Sequence, residues 1–377
     1  MRISHAMLMQ NARRLAEQRA AADHSIICVY LTGAMLHEDQ RIGGVGDLDM
    51  VFVHAGMTAN TPHRELLRLS EELHFDMVHL PQELYRDPKQ LRRSPWVGAD
   101  VWQKPLVFFE KNHWFDFTLA GAFSQFDSVE NTLLRAQSFL NSAREEMQTV
   151  AFHPSSEPAI DLFRYLRALE DGANALAVLN GSPLSTRRLL LDFPARAAAL
   201  DQPLNAHKPP SAHVPWTVRL IDQFSQGGIA PTETLQRWLE GWQRHCETLP
   251  VNPPLELHLL KQHYYNKAVL AFSEELPAAA LWILLRCWNA AVLAHNPAPG
   301  AGALYTELLT ACGLNEEALD DRFGTLDTLL DEVSDLLDAR AAAEGLPELA
   351  AWTQPLFLGR PQMVDDWTAD WADVGGR

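Results

Sequence analysis

The chain has 377 residues, of which 47% are hydrophobic and 21% are charged, and its net charge is −17. This composition is that of a folded globular protein, and it excludes a collagen-like, coiled-coil or disordered chain. Two or three domains are expected at this length. Much of the charge lies near the end, because residues 313–377 contain 15 acidic and only 4 basic side chains. The acidic balance disfavours a nucleic-acid partner and favours a small or cationic one.

The cellular location is predicted from features that the sequence lacks. The N-terminal residues contain no continuous apolar segment of a secretion signal, and apolar runs such as Ala278–Ile283 are too short to cross a bilayer. No two cysteines stand in a CxxC pair, which excludes a disulfide framework and a cysteine zinc site. The sequence therefore predicts a cytoplasmic protein with no membrane partner.

Residues 1–110 combine helical and strand patterns. Apolar residues at helical spacing predict helices over 6–22 and 62–73. Continuous apolar and β-branched runs predict buried strands, and these cover residues 25–31, 48–53, 75–80 and 106–109. The resulting order of helix, strand, strand, helix, strand and strand indicates a small mixed sheet with helices.

Beyond residue 114, apolar residues recur at helical spacing almost throughout. Breaks rich in proline and glycine separate the predicted helices, which cover residues 128–150, 157–180, 214–226, 231–247, 255–274, 277–295, 301–312 and 323–343. The predicted fold class is α+β, with a small mixed β-sheet domain over residues 1–127 and an all-α helical bundle domain over residues 128–377. A proline-rich break near 250–254 leaves open whether the bundle forms two subdomains.

Three aspartates fall on the predicted strands. Asp47 and Asp49 are two residues apart and therefore present their carboxylates to the same side of a strand. Asp76, on the next strand, offers a third carboxylate. Because neighbouring carboxylates repel one another, a divalent cation would stabilise the group, and oxygen ligands suit Mg²⁺. Gly33, at the end of the preceding strand, would let phosphates approach the backbone.

Three segments carry a resemblance to a known family. In order and spacing, Leu31-Thr-Gly33-Ala34, Asp47-Leu-Asp49-Met and Phe75-Asp76-Met-Val resemble the signature of the nucleotidyltransferase superfamily, also called the DNA polymerase β-like fold. The helical second half is similar to the small-molecule branch, which includes the aminoglycoside nucleotidyltransferases. The minimal nucleotidyltransferases are the other branch that it resembles. The resemblance covers about residues 10–150.

By position, the resemblance implies a role for each residue of the motif. Asp47 and Asp49 would coordinate two Mg²⁺ ions bound to a nucleoside triphosphate, with ATP as the first expectation. Asp76 would share a metal or accept the proton of the acceptor hydroxyl. The implied reaction transfers a nucleoside monophosphate to a hydroxyl of a small molecule, and an aminoglycoside-like acceptor fits the negative charge. The triphosphate would lie against the glycine turn, which comprises Thr32, Gly33 and Ala34.

Two positions depart from the family pattern. Ala34 stands where a serine hydroxyl usually bonds a phosphate oxygen, and Gly46 stands where a second serine often precedes the first aspartate. These changes leave a second interpretation open, in which a nucleotidyltransferase-like fold with altered or lost activity serves as a nucleotide-sensing or protein-interaction module. Transfer to a protein hydroxyl or an RNA end is a third interpretation, and for RNA it would require a basic groove.

Other polar residues have less specific predicted roles. Arg167 and Glu170, on one predicted helix, are candidates for the acceptor side, and a solvated face with local ion pairs is the alternative. His74 and His79 are predicted to be neutral structural histidines, and a position of His79 near the site is left open.

The end of the chain has an unusual composition. Trp367 and Trp371 are four residues apart among several aspartates and would share one helix face. Because an exposed tryptophan pair is unfavourable in water, we expect it to dock on the body of the protein or on a second subunit. The sequence thus leaves a homodimer open.

Overall fold

A computed structural model of the chain describes residues 4–36, 40–57, 63–201, 214–226 and 228–346. The described residues fall into two compact units, one ending at Asn131 and the other beginning at Thr132. The tail tryptophans Trp367 and Trp371 lie outside the described residues. A small mixed sheet followed by helices confirms the predicted α+β fold class.

The described part of the first unit contains a five-stranded sheet in the order β3-β4-β2-β1-β5. Strands β2 and β4 are parallel, and the other neighbours are antiparallel. The elements of this unit, in chain order, are α1 (His5–Ala22), β1 (Ile26–Thr32), β2 (Gly46–His54), β3 (His63–Arg68), β4 (Leu73–Pro81), α2 (Pro88–Arg93), α3 (Val97–Trp102), β5 (Leu106–Glu110) and α4 (Trp114–Phe123).

Helix α1 covers one face of the sheet. Its buried side chains recur every four residues and therefore form one stripe along the helix; they are Leu8, Ala12, Ala16 and Ala20. The stripe packs on alternate residues of the strands, which include Leu48, Met50 and Phe52 of β2. The intervening residues of β2, such as Val51 and Val53, pack on the opposite face with side chains of α2, α3 and α4. The period of two thus assigns each β2 residue to one face.

The predicted helix over 62–73 is wrong, because the structure places strand β3 and the start of β4 there. The leucines of this segment have helical spacing, yet β3 pairs antiparallel with β4 from His63 opposite His79 to Arg68 opposite His74. β3 is an edge strand with partly exposed side chains. Its pairing with β4, which residues 63–68 alone do not encode, overrides the local helical pattern.

Histidines and acidic residues line the α1 side of the sheet near β3. Ser25 Oγ and His54 Nδ1 share a hydrogen bond of 2.8 Å, and His54 Nε2 and His79 Nδ1 share another of 2.8 Å. His79 Nε2 lies 3.2 Å from Glu65 Oε1, and the His63 ring stacks on the His79 ring at 4.1 Å. Burial lowers the pKa of His79 to about 4, and it also lowers the pKa of His54.

The remaining elements are helices, and most of them lie where the sequence predicts them. Three short helices of the first unit, α2, α3 and α4, and one helix of the second unit, α7, were not predicted. The helices from the unit boundary onward are α5 (Val129–Phe152), α6 (Pro158–Ala177), α7 (Leu189–Ala197), α8 (Trp216–Asp222), α9 (Thr232–Cys246), α10 (Leu259–Phe272), α11 (Pro277–Ala294), α12 (Pro299–Cys312) and α13 (Glu316–Ala343).

The core of the second unit is built around α6 and α11. Four tryptophans of α9 and α11 are almost completely buried in it, namely Trp238, Trp242, Trp282 and Trp288. The apolar run Ala278–Ile283 belongs to α11, and an 18-residue window over this helix has a mean hydropathy of 1.4. Among the described residues, α11 is long and apolar enough to span a membrane by length and composition alone. However, 61% of the window is buried inside the protein, and a core helix passes the same test.

All four cysteines of the chain are buried thiols without a disulfide bond. Burial raises the pKa of Cys246 and Cys312 to about 12, and it also raises the pKa of Cys28 and Cys287 well above the ordinary value. A buried thiol with so high a pKa is not a nucleophile at neutral pH. These cysteines therefore serve packing.

Candidate functional site

Acidic and imidazole side chains meet on the face of the sheet opposite α1. The parallel register of β2 and β4 places Asp47 beside His74 and Asp49 beside Asp76. Because residues two apart share a side of a strand, these four side chains project from the same face. The alternate spacing of Asp47 and Asp49 predicted their common direction, whereas the register that adds His74 became visible only in the structure.

One donor atom from each of Asp47, His74 and Asp76 lies within 4.8 Å of the other two. His74 is 3% exposed and Asp76 is 1% exposed, whereas Asp47 is half-buried. Two carboxylates and one imidazole at this separation are a donor set that fits a single divalent cation. A cation would also offset the repulsion between the carboxylates.

Asp49 lies against Gly33 at the end of β1. Gly33 has a φ of +77°, and a Cβ at this position would overlap with Asp49 Oδ2. Glycine is therefore required here both by the backbone conformation and by the close approach of the carboxylate. The three predicted aspartates thus divide into Asp47 and Asp76, which share the donor set with His74, and Asp49, which faces the glycine turn.

Asp76 also pairs with an arginine of the neighbouring strand. Arg64 donates through Nε to one carboxylate oxygen of Asp76 and through a terminal nitrogen to the other. This two-point geometry is the strong form of a guanidinium–carboxylate pair. The helix predicted for this segment gives no reason for Arg64 to reach Asp76, whereas β3 places Arg64 opposite Val78, diagonally next to Asp76 on the same face.

A fourth carboxylate lies next to the glycine turn. The Thr32 hydroxyl donates to Asp100 Oδ1 at 2.8 Å, so the side chain of Thr32, a residue expected to lie against the triphosphate, is engaged by Asp100. Burial raises the pKa of Asp100 to about 7, and the hydrogen bond from Thr32 opposes the shift. Asp100 lies on α3, which the sequence did not predict, and no motif drew attention to it.

The other candidate residues lie near the glycine turn and in the helical unit. Ala34 is half-buried, and Gly46 begins β2. Arg167 forms an ion pair of 3.1 Å with Glu146, and Glu170 accepts a hydrogen bond of 2.9 Å from the Thr186 hydroxyl. The solvated-face alternative is wrong for Arg167 and Glu170, because they are only 7% and 2% exposed.

A scan of protein-family models and a search of curated proteins find no match to the chain. Among solved structures, the chain is similar to the crystal structure of a nucleotidyltransferase-like protein from Exiguobacterium sibiricum 255-15. The identity is 11%, the similarity covers 89% of this chain and 92% of that chain, and the TM-score is 0.25. A likeness of this extent assigns no activity, and the function is therefore argued from the residues of the site.

Proposed function

We propose that the chain is a nucleotidyltransferase that depends on a divalent cation and transfers a nucleoside monophosphate from a nucleoside triphosphate to a hydroxyl of a small molecule. One observation carries the proposal: Asp47 and Asp49 project from one face of β2, with the Asp49 carboxylate against Gly33 and Asp76 beside it on β4. Carboxylates beside a glycine turn provide a place for a cation and the phosphates that it binds.

Each residue of the site has a role in this reaction. Asp47 and Asp49 hold the cation that carries the triphosphate, for which Mg²⁺ and ATP are the first expectations. Asp76 shares a cation or accepts the proton of the acceptor hydroxyl. Bound divalent ions stabilise the attacking and leaving oxygens of an in-line displacement. The acceptor is expected to be a small and possibly cationic molecule.

Thermal unfolding with each nucleotide tests the proposal. We expect ATP, GTP, CTP or UTP with Mg²⁺ to raise the unfolding temperature, since a ligand at 100 times its Kd adds about 2.7 kcal/mol to stability. The shift should disappear in the double variant Asp47→Asn/Asp49→Asn. A matched control is Glu71→Gln/Glu72→Gln, which removes two exposed negative charges just before β4. Loss of the shift in the control instead would refute the assignment of the site.

The second interpretation, a nucleotide-sensing or protein-interaction module, is favoured by two observations. Ala34 and Gly46 offer no hydroxyl to a phosphate, and Arg64 pairs with Asp76. Binding of a nucleotide without release of pyrophosphate, across a screen of hydroxylated acceptors, would support a sensor. The absence of a shift with every nucleotide would support an interaction module.

A further inference from the structure

We infer that Asp47, His74 and Asp76 form a mixed nitrogen and oxygen site for a divalent transition-metal ion in preference to Mg²⁺. This inference deepens the proposed function because it names the ion at one position of the same site. The observation behind it is the donor set in which His74 stands with two carboxylates, each donor within 4.8 Å of the others.

One ion can take all three donors once they draw closer together. Three ligands at about 2.1 Å from one metal lie about 3.0–3.6 Å from one another, so donors within 4.8 Å of one another reach it by side-chain shifts of up to about 1 Å. Two adjacent strands in fixed register carry the donors, because Asp47 and His74 are direct neighbours across β2 and β4. His74 and Asp76 are buried, so little water must be displaced from either one.

The chemistry of His74 distinguishes between ions. Mg²⁺ takes oxygen ligands and keeps much of its water, so an imidazole nitrogen adds little to its binding. Zn²⁺, Co²⁺ and other ions late in the first transition series bind imidazole nitrogen well. The remaining position, formed by Asp49 beside Gly33 and by Asp47, has only oxygen donors and suits the Mg²⁺ of a nucleotide complex.

Arg64 pairs with Asp76 when no metal ion is bound. Its guanidinium contacts both oxygens of Asp76, so an ion that takes one of these oxygens competes with Arg64 for that oxygen. The ion pair neutralises the buried carboxylate when no metal is bound. Replacement of Arg64 by glutamine removes the competitor, and we expect it to strengthen metal binding.

A second cluster provides an internal control. Donor atoms of Glu110, His113 and Asp116 also lie within 4.8 Å of one another. The cluster is exposed at His113 and Asp116, and His113 Nδ1 lies 3.4 Å from Asp116 Oδ2. Exposed acidic groups near a histidine are common without a metal. In a metal titration this cluster is the second place where the added ion could bind, so it has to be distinguished from the proposed site.

The test is a titration of the metal-free protein with Co²⁺ and, separately, with Mg²⁺. We expect His74→Asn to weaken Co²⁺ binding by about tenfold or more and to change Mg²⁺ binding by less than about threefold, whereas His113→Asn should bind Co²⁺ like the wild type. Equal losses for both ions in His74→Asn, or loss of Co²⁺ binding in His113→Asn, would overturn the inference.

A spectroscopic readout keeps the test decisive if His74→Asn does not fold. Electron spin echo envelope modulation of Cu²⁺-loaded wild type, with an ion late in the first transition series, reports directly whether an imidazole nitrogen is bound. We expect nitrogen modulation in the wild type and in His113→Asn, and we expect Asp47→Asn, whose side chain is half-buried, to lose both the ion and the signal. Wild type with bound ion but without nitrogen modulation would refute the inference.

The two proposals fail separately. Co²⁺ binding that depends on His74 in a protein that binds no nucleotide would leave this inference intact and remove the proposed function. Nucleotide binding with Mg²⁺ together with a Co²⁺ affinity that His74→Asn does not change would remove this inference and leave the proposed function intact.

Discussion

Arg64 of β3 and Asp76 of β4 form a diagonal two-point ion pair, because Arg64 lies opposite Val78 in the register, and Asp76 is the more deeply buried partner at 1% exposure. A buried carboxylate that loses its partner is costly because its charge is no longer compensated. We expect Arg64→Gln to lower the free energy of unfolding by about 3 kcal/mol, and we expect added Co²⁺ to restore part of it. Urea denaturation with and without the ion measures both effects.

The matched control for this prediction lies on the same strand. Arg68 is exposed, and its Nε donates to the Ser70 carbonyl at 3.1 Å. Because an exposed contact of this kind contributes little, Arg68→Gln should change stability by less than about 0.5 kcal/mol. Similar losses in the two variants would show that the ion pair with Asp76 contributes no more than a surface contact.

Two glycines with nearly the same backbone conformation allow the role of Gly33 to be separated from backbone strain. Gly33 and Gly44 have φ of +77° and +80°, but a Cβ at Gly44 would meet nothing within 4 Å, whereas a Cβ at Gly33 would overlap with Asp49. Each alanine variant should lose about 1 kcal/mol from the left-handed conformation. Only Gly33→Ala should lose more and also weaken nucleotide binding, as thermal unfolding with and without nucleotide would measure.

The Asp100 carboxyl predicts a fall in stability with rising pH. Its pKa is about 7 in the folded protein against an ordinary value of 3.8, so the folded state holds the proton between about pH 4 and 7 and the unfolded state does not. Its contribution is therefore present at low pH and is lost as the pH rises to about 7. Asp100 accepts a hydrogen bond from Thr32 and interacts electrostatically with Tyr30 and Tyr85.

The variant Asp100→Asn isolates this contribution. Relative to wild type, it should gain stability between pH 4.5 and pH 8, by an amount on the order of 2–4 kcal/mol. Chemical denaturation at several pH values measures the difference between the two proteins. A difference that stays constant across this range would contradict the raised pKa.

The histidines on the α1 side predict the opposite slope. The pKa of His79 is about 4 in the folded protein, below its ordinary value of 6.5, so protonation of His79 favours the unfolded state. The contribution of neutral His79 to the stability of the folded state is complete above pH 6.5 and is lost as the pH falls toward 4. The groups facing it are His54, His63 and Glu65, with Asp23 beside His54 at 3.6 Å.

We expect His79→Gln to lose less stability than wild type between pH 7 and pH 4.5, with a difference on the order of 2 kcal/mol. The exposed His24 provides the control, because His24→Gln should follow the wild-type curve. Urea denaturation midpoints across this range report the comparison. Parallel curves for wild type and His79→Gln would show that His79 does not titrate below its ordinary range.

Replacement of Ala34 by serine is expected to strengthen nucleotide binding. If the glycine turn receives a triphosphate, a hydroxyl in Ala34→Ser adds a hydrogen bond to a charged oxygen, which contributes about 1.5 kcal/mol, or roughly tenfold in affinity. Ala34→Cys, of nearly the same shape but with a weak donor, is the matched control. Titration calorimetry with the tightest-binding nucleotide measures both, and equal affinities for the two variants would place the phosphates elsewhere.

Four of the five strands of the described sheet could be predicted because each is a continuous apolar run. β1, β2, β4 and β5 are buried or partly buried strands whose pattern is local to the segment. β3 could not be predicted, because an edge strand with mixed residues is defined by its partner. Its side chains make sense only opposite β4, where Arg64 meets Asp76 and Glu65 meets His79.

The candidate site divides in the same way. Asp47, Asp49 and Gly33 belong to one motif with a fixed chain spacing, so their proximity could be inferred. His74 and Asp100 join the site through strand register and through a short helix, and neither is encoded in a local pattern. Long-range contacts in the fold thus bring His74 and Asp100 to the site, and the sequence motif does not include either residue.

The parallel register of β2 and β4 also links the proposed metal ligands to the packing of the hydrophobic core. A slip of one residue would turn His74 and Asp76 toward α1 and bring Phe75 and Met77 to the opposite face. The apolar packing beneath α1 prohibits that slip. Selection for a well-packed core therefore preserves the strand register that places Asp47 beside His74 and Asp49 beside Asp76, even without selection on these polar side chains themselves.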